Sequence, residues 1–345
     1  MKFGVFDHMD WNGRSVSSLY AERLHLVTLY EQLGFHAYHL TEHHATRLGM
    51  APSPSVFLSA VAQRTTTLRL GTLVYLLPLH HPVRLLEEIG MLDHLSGGRL
   101  EVGFGRGGAL VEHMRYGLDE QIVPDMFEEA AELLLKGLSG ETLEHEGRFY
   151  RLHDVPMLLS TVQRPRPGLW YGTATPQKAV WAAGEGINLL SLLPAPGTRK
   201  LMDAFHQAWA DLGRDPAAIP FHGIGGHQIY VAASDAEAYE IGRRAWTRWA
   251  ENFRYLWDRS GRPVPPNVKV FAENFDDILA GGTVIVGAPD TVRTALKTVE
   301  RDGRINYYAA ELVFGDMTLD EAEASVRLFA REVMPAFEMA GIGAR

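Results

Sequence analysis

Three short stretches of this chain carry side chains that could do chemistry. In "HLTEHHATRLG", residues 39–49, Glu42, His43 and His44 stand where an apolar run is about to end. A carboxylate beside two imidazoles could hold a metal, move a proton near neutral pH, or satisfy itself. Neighbouring strand side chains face opposite ways, so one metal takes both histidines only if the strand has ended. The opening "DHMD", 7–10, sets His8 beside Asp7, and no His-x-His pair occurs in the chain, which argues against a catalytic metal. His80 and His81, just before Pro82, read as a structural loop at a helix start.

"GFGRGG", 103–108, follows an apolar run and precedes a helical one, with glycines at 103, 105 and 108. The spacing fits a dinucleotide fingerprint, but that fingerprint belongs to a first strand–helix turn with an acid about 20 residues on. On a fourth strand it reads instead as a strand end where Gly108 and its neighbours admit a ligand to the backbone. Arg106 is then a fixed cation for phosphate or an anionic ring. In "YGTATPQK", 171–178, Thr175 suits an N-cap and Pro176 the first helical position. Free backbone N–H groups at Gln177 and Lys178 would make a phosphate site, and Lys178 opposes the helix dipole unless an anion is bound.

Such groups need a scaffold that gathers strand ends. Strand-like runs fall at 2–8, 37–44, 68–77, 99–105, 168–174, 187–193, 227–234 and 305–314, each followed by a helical stretch. Most are continuous apolar runs, as in a parallel sheet covered on its outer face. Eight such units predict a closed (β/α)8 TIM barrel with its active end at the strand C-termini. His8, Glu42, Leu77, Arg106, Thr175 and Glu311 would then share one rim. Ser17 or Ser18 suits the first helix N-cap, Gly34 its end, and Pro54 the next helix start. Stretches at about 139–167 and 260–303 stand outside the count. They read as insertions between units four and five and before strand eight of a single domain spanning 1–345.

Composition narrows the class further. Hydrophobic residues make up 46% and charged residues 22%, as in an ordinary soluble enzyme. A net charge of -9 without a Lys/Arg run argues against nucleic acid as a partner. The absence of cysteine excludes disulfides, thiolate metal sites and cysteine nucleophiles, and fits a reducing compartment. The start "MKFGVFDHMD" is not a signal peptide and no apolar run would span a bilayer, so a cytoplasmic location is expected.

Together these stretches resemble the bacterial luciferase-like flavin monooxygenases over nearly the whole chain. The resemblance rests on "MKFGVF", "LTEHHATRLG", "LRLGTLVYLLPLHHPVRLLEEIGMLDHLSGGRLEVGFGRG", "EHEGRFY", "TPQKAVWAAGEG" and "FAREVMPAF". It implies the (β/α)8 fold, His43 as the catalytic residue, and Glu42 and His44 lining the same pocket. It also implies a non-proline cis peptide at Leu73–Val74, next to Thr72, beneath a flavin ring. Arg106 and Thr175 would meet the flavin phosphate. Two positions depart from the luciferases: Ala174 replaces a glutamate and Lys178 a hydroxyl residue, so the phosphate contact expected is ionic. The late insertion shows no counterpart of the luciferase arginine pair, so aldehyde oxidation and light emission are not carried over.

The activity implied is that of a two-component monooxygenase. A separate flavin reductase would supply reduced FMN, and O2 would oxidise a small organic substrate. Phe6, Trp11, Tyr75 and Trp170 are pocket-lining candidates for an apolar substrate. The alternatives are deazaflavin-dependent hydride transfer on the same barrel and a non-catalytic flavin-binding protein. The resemblance also implies a dimer, of two copies or with a related chain. Leu85, Ile89 and Leu92 suit either that face or the barrel.

Overall fold

The computed structural model describes residues 1–262 and 274–337. In chain order its first strands and helices are β1 Lys2–Asp7, α1 Val16–Gln32, β2 Ala37–Leu40, α2 Pro54–Arg64, β3 Arg69–Leu76, α3 Pro82–Leu95 and β4 Leu100–Gly105. Two helices follow β4, the short α4 Leu110–Arg115 and α5 Val123–Leu138. An antiparallel hairpin, β5 Leu143–Glu146 and β6 Arg151–Val155, occupies the first insertion. The chain continues with β7 Gly168–Gly172, α6 Pro176–Glu185, β8 Asn188–Ser191, α7 Ala195–Asp211, β9 His222–Val231 and α8 Asp235–Ser260. It ends through α9 Phe275–Gly281, β10 Val284–Gly287, α10 Pro289–Gly303, β11 Tyr307–Glu311 and α11 Leu319–Leu328.

Eight of these strands close a parallel barrel, β1-β2-β3-β4-β7-β8-β9-β11, with β11 returning to pair with β1. This is the (β/α)8 architecture expected from the apolar runs. Outward residues such as Phe3, Val5, Tyr38, Leu40 and Val102 pack under the helices. Phe6, Leu73, Trp170, Leu190 and Tyr307 fill the interior. Glycine makes room where strands crowd: a Cβ on Gly103 would lie 2.2 Å from the Thr72 carbonyl oxygen.

Four details differ from the sequence reading. Ser15, not Ser17 or Ser18, caps α1, its hydroxyl accepting from the Ser18 N–H. The seventh strand starts at His222, where its glycine-rich half hid the pattern. A register shift against β11 accompanies Gly226, whose φ is +70°. The late insertion holds a ninth parallel strand, β10, paired outside the barrel on β9. Residues 263–273 of that insertion lie outside the described residues. Leu85, Ile89 and Leu92 are buried within this one chain, facing the barrel. No helix among the described residues is long and apolar enough to cross a membrane.

Candidate active site

Strand β2 stops at Leu40, so Glu42, His43 and His44 belong to the irregular loop that follows and escape strand alternation. Glu112, in the first turn of α4, lies buried beneath that loop. Its carboxylate stands 3.2 and 3.3 Å from His43 Nδ1 and accepts the His44 backbone N–H at 2.7 Å. Burial pushes the His43 pKa down, but the charge and hydrogen bond of Glu112 outweigh it, and the net shift is upward. His43 Nε2 has no hydrogen-bond partner among the described residues, and the side chain is 21% exposed at the rim.

The other two members of the group do different work. Glu42 is buried and accepts from His44 Nε2 at 2.7 Å, His80 Nε2 at 2.9 Å and the Leu76 N–H at 3.0 Å. Burial alone would raise its pKa; the hydrogen bonds from His44 and His80 win and hold it at about 2. His44 has both ring nitrogens engaged, Nδ1 receiving the Tyr116 hydroxyl at 2.8 Å. Glu42 and His44 therefore hold the loop, and His43 alone of the three offers a free ring nitrogen. His80, read from sequence as a structural loop residue, is the third anchor of Glu42.

Beside His43 stands His8, from the end of β1, with ring centroids 5.5 Å apart and planes 27° apart. His8 Nδ1 lies 2.7 Å from Glu311 Oε1 at the end of β11, and Gln228 Nε2 donates to Glu311 Oε2 at 2.6 Å. Asp10 is buried close by, accepting from Asn252 Nδ2 at 2.8 Å; burial and the nearby Glu311 raise its pKa to about 7. Asp7 is paired with buried Arg23 at 3.1 Å and accepts the Tyr38 hydroxyl at 2.8 Å.

The other strand ends of the rim carry the residues expected from sequence to meet a phosphate. The Leu73–Val74 peptide bond is cis, at the point where the β3–β4 register shifts. Thr72 is wholly buried and its hydroxyl donates to the Gly103 carbonyl, so it presents no hydroxyl to the rim. Pairing of β4 with β7 sets Arg106 and Gly108 next to the chain leading through Ala174 to α6. Arg106 is exposed, and its guanidinium has no hydrogen bond or ion pair among the described residues. Thr175 occupies the α6 N-cap, but its side chain caps nothing; its own N–H donates to Thr173 Oγ1 at 3.1 Å. The N–H groups of Gln177 and Lys178 thus remain open. A Cβ placed on Gly108 or Gly172 would meet nothing within 4 Å. An uncapped helix start, a free guanidinium and open glycines fit a flavin phosphate. The expectation for Lys178 needs correction: its Nζ pairs with Glu128 at 2.6 Å, so Glu128 answers the dipole mismatch.

Two pocket-lining expectations fail on burial. Tyr75 is buried with its hydroxyl 2.9 Å from Ser55 Oγ, and Trp170 is sealed in the barrel, donating to Glu101 Oε2 at 2.5 Å. Phe6 borders the rim through its edge contact with His8, and Trp11 is half-buried beneath Arg47. Trp249 of α8 supplies a wall that the sequence reading overlooked, 5.7 Å from the His8 ring. Glu112 was also overlooked, because it lies on a helix beyond a glycine loop rather than at a strand end. His8 and Glu311 were findable, since both sit at barrel strand termini.

A (β/α)8 barrel with carboxylate-backed histidines and an anion cradle on one rim is the architecture of a cofactor-using enzyme. Residues 1–304 match the model of the luciferase-like monooxygenases, and the chain belongs to that family of flavin-dependent oxidoreductases. It is 40% identical over 334 residues to the uncharacterized protein y4wF of Sinorhizobium fredii, covering 97% of this chain and 96% of that one. It is 26% identical over 365 residues to the oxygenase component of the flavin-dependent trigonelline monooxygenase of Acinetobacter baylyi, covering 100% and 98%. Among solved structures, the monooxygenase RslO1 of Streptomyces bottropensis superposes with a TM-score of 0.87 at 28% identity, over 98% and 100% of the two chains. The fold recurs in the oxygenating constituent of 3,6-diketocamphane monooxygenase from Pseudomonas putida, in complex with FMN (TM-score 0.73, 19% identity, 97% and 98% covered). It recurs equally in an F420-dependent secondary alcohol dehydrogenase (TM-score 0.73, 18% identity, 98% and 99% covered).

Proposed function

We propose that this protein is the oxygenase component of a two-component monooxygenase. It takes reduced FMN from a separate flavin reductase and uses O2 to oxidise a small organic substrate, in the cytoplasm of its cell. The observation that carries the reading is His43: its Nδ1 is locked on Glu112 while its Nε2 is free at the rim. The relative named as an oxygenase component, matched along nearly its whole length, supports the division of labour with a reductase.

On this reading Thr72, Leu73 and Val74 form the floor under the flavin ring. Arg106, Gly108, Ala174, Thr175 and Gln177 surround its phosphate, with Lys178 neutralised behind them by Glu128. Reduced flavin, when bound, supplies the two electrons that let one oxygen atom enter the substrate and the other leave as water. The protein's part is proton control and exclusion of solvent. His43, its pKa raised by Glu112, donates from Nε2 to oxygen at the rim and takes a proton back afterwards. Glu42, through His44 and His80, holds the loop that carries it.

The test is anaerobic titration with reduced FMN and, separately, with a reduced deazaflavin, followed by air and absorbance recording. Binding of reduced FMN with a transient species on aeration, shortened in His43→Ala, supports the monooxygenase. Binding of deazaflavin alone, indifferent to oxygen, would make the protein a hydride-transfer enzyme, a chemistry its F420-dependent structural neighbour runs on the same barrel. Two chains form the working unit, either two copies or this chain with a related one.

A further inference from the structure

Two histidines stand at the rim, each with a carboxylate behind it. Glu112 holds His43 Nδ1 at 3.2 Å, and Glu311 holds His8 Nδ1 at 2.7 Å. The two rings stack, neither Nε2 has a partner among the described residues, and both side chains reach the opening. We propose that His8 and Glu311 form a second proton relay of this site, delivering a proton to an oxygen atom bound beside His43.

With Glu311 protonated, the hydrogen bonds leave one direction for the relay. Gln228 Nε2–H donates to Glu311 Oε2, so that oxygen accepts. A proton on Oε1 then donates to His8 Nδ1, which leaves the ring's own hydrogen on Nε2, facing the opening. The surroundings favour this neutral arrangement. Besides Glu311, the titratable groups around His8 are His43, Asp7, Asp10 and Glu112, and Phe6 and Trp249 meet its ring edge-on. Burial, then the charge of His43, pushes His8 down to about 3, while burial and Asp7 hold Glu311 well above the usual carboxylate range. Arg23, the buried cation on this side, is already paired with Asp7.

A second imidazolium stacked on His43 would be repelled, so this pair must give up a proton without His8 becoming charged. One concerted step does so. The acceptor oxygen takes the Nε2 proton as the Glu311 Oε1 proton passes to Nδ1, so one N–H and one O–H bond break while one O–H and one N–H form. His8 stays neutral, Glu311 becomes a carboxylate, and the acceptor gains the proton. The relay rests on the oxygenase reading only for the identity of that acceptor, the oxygen atom that leaves as water.

The protonation state is measured without flavin, from the side-chain nitrogen spectra of histidine-labelled protein between pH 5.5 and 8. His8 is assigned by its loss in His8→Gln or, should that variant not fold, by Overhauser contacts to Phe6. The expected result is a neutral His8 ring with its proton on Nε2 across the range, while His43 titrates. Glu311→Gln should keep that tautomer, because an amide N–H donates to Nδ1 as the acid does and the amide oxygen still accepts from Gln228. A carboxyl whose folded pKa is raised loses stability as pH climbs above its ordinary value of 4.5, so the Gln variant should match or exceed the parent's melting temperature at pH 8. With reduced FMN bound, Glu311→Gln should slow proton-dependent reoxidation about a hundredfold at unchanged flavin affinity. An imidazolium His8, or a proton on its Nδ1, at pH 7 overturns the relay, as does an unchanged reoxidation rate. Failure to bind reduced FMN would overturn the oxygenase reading, and the spectra would still decide the state of His8 and Glu311.

Discussion

At the scale of single residues, the rim works by pairing each imidazole with a carboxylate and giving the pairs different surroundings. Glu112 is what raises His43 against its burial, so Glu112→Gln should lower the His43 midpoint, read from its ring signals. A raised histidine stabilises the fold fully below its unfolded value of 6.5, and that contribution fades as pH rises through the folded value. The variant should therefore lose most relative stability on the acid side of neutrality. Glu42 behaves in the opposite sense. Its stabilisation is present above its ordinary value of 4.5 and lost as pH falls toward about 2. Glu42→Gln leaves the His44–His80 clasp without its charge and should lower unfolding free energy by about 2–4 kcal/mol, measured by denaturant titration at pH 7. The adjacent letters "EHH" could not tell these roles apart, because they depend on Glu112, His80 and Tyr116, which lie 38 to 72 positions away along the chain.

At the scale of elements, the proposed anion cradle is made by two neighbouring strand ends and one helix start. Its pieces were legible because each is local: the glycines and Arg106 after β4, and Thr175 and Pro176 opening α6. The pairing of Lys178 with Glu128 was not legible, since it joins α6 to a residue 50 positions away on α5. If Arg106 and the α6 start hold the phosphate, then FMN should bind more tightly than riboflavin, which lacks it. Arg106→Ala should cut FMN affinity about tenfold to a hundredfold and leave riboflavin affinity unchanged, measured by fluorescence titration. Equal losses for both ligands would place Arg106 elsewhere. The β3–β4 seam invites a separate test. A Cβ on Gly103 would press on the Thr72 backbone at 2.2 Å, so Gly103→Ala should destabilise the barrel by about 3 kcal/mol, or more, by thermal melting.

At the scale of the whole molecule, the barrel was readable because parallel strands buried on both faces become uninterrupted apolar runs, and eight such runs leave few ways to close. Strand β10 escaped because its apolar run lies inside the stretch set aside as an insertion once eight units had been counted, and the glycine-rich start of β9 escaped for want of side chains. Surfaces are legible only once the fold is known. The stripe Leu85, Ile89 and Leu92 is consumed by the barrel, whereas Val56 of α2, Met91 and Leu95 of α3 and Leu158 of the first insertion remain exposed, Leu158 at 88%. The insertion packs on α3, with the Leu159 carbonyl oxygen 2.7 Å from where a Cβ on Gly90 would be. If the proposed second subunit seats on these exposed apolar groups, two outcomes follow. Light scattering should then give twice the chain mass for the parent protein. Leu158→Glu combined with Met91→Glu should give a single-chain mass with an unchanged circular dichroism spectrum, because neither side chain supports the barrel. A parent that scatters as one chain would remove the dimer, and a double variant that stays paired would move the interface to another face.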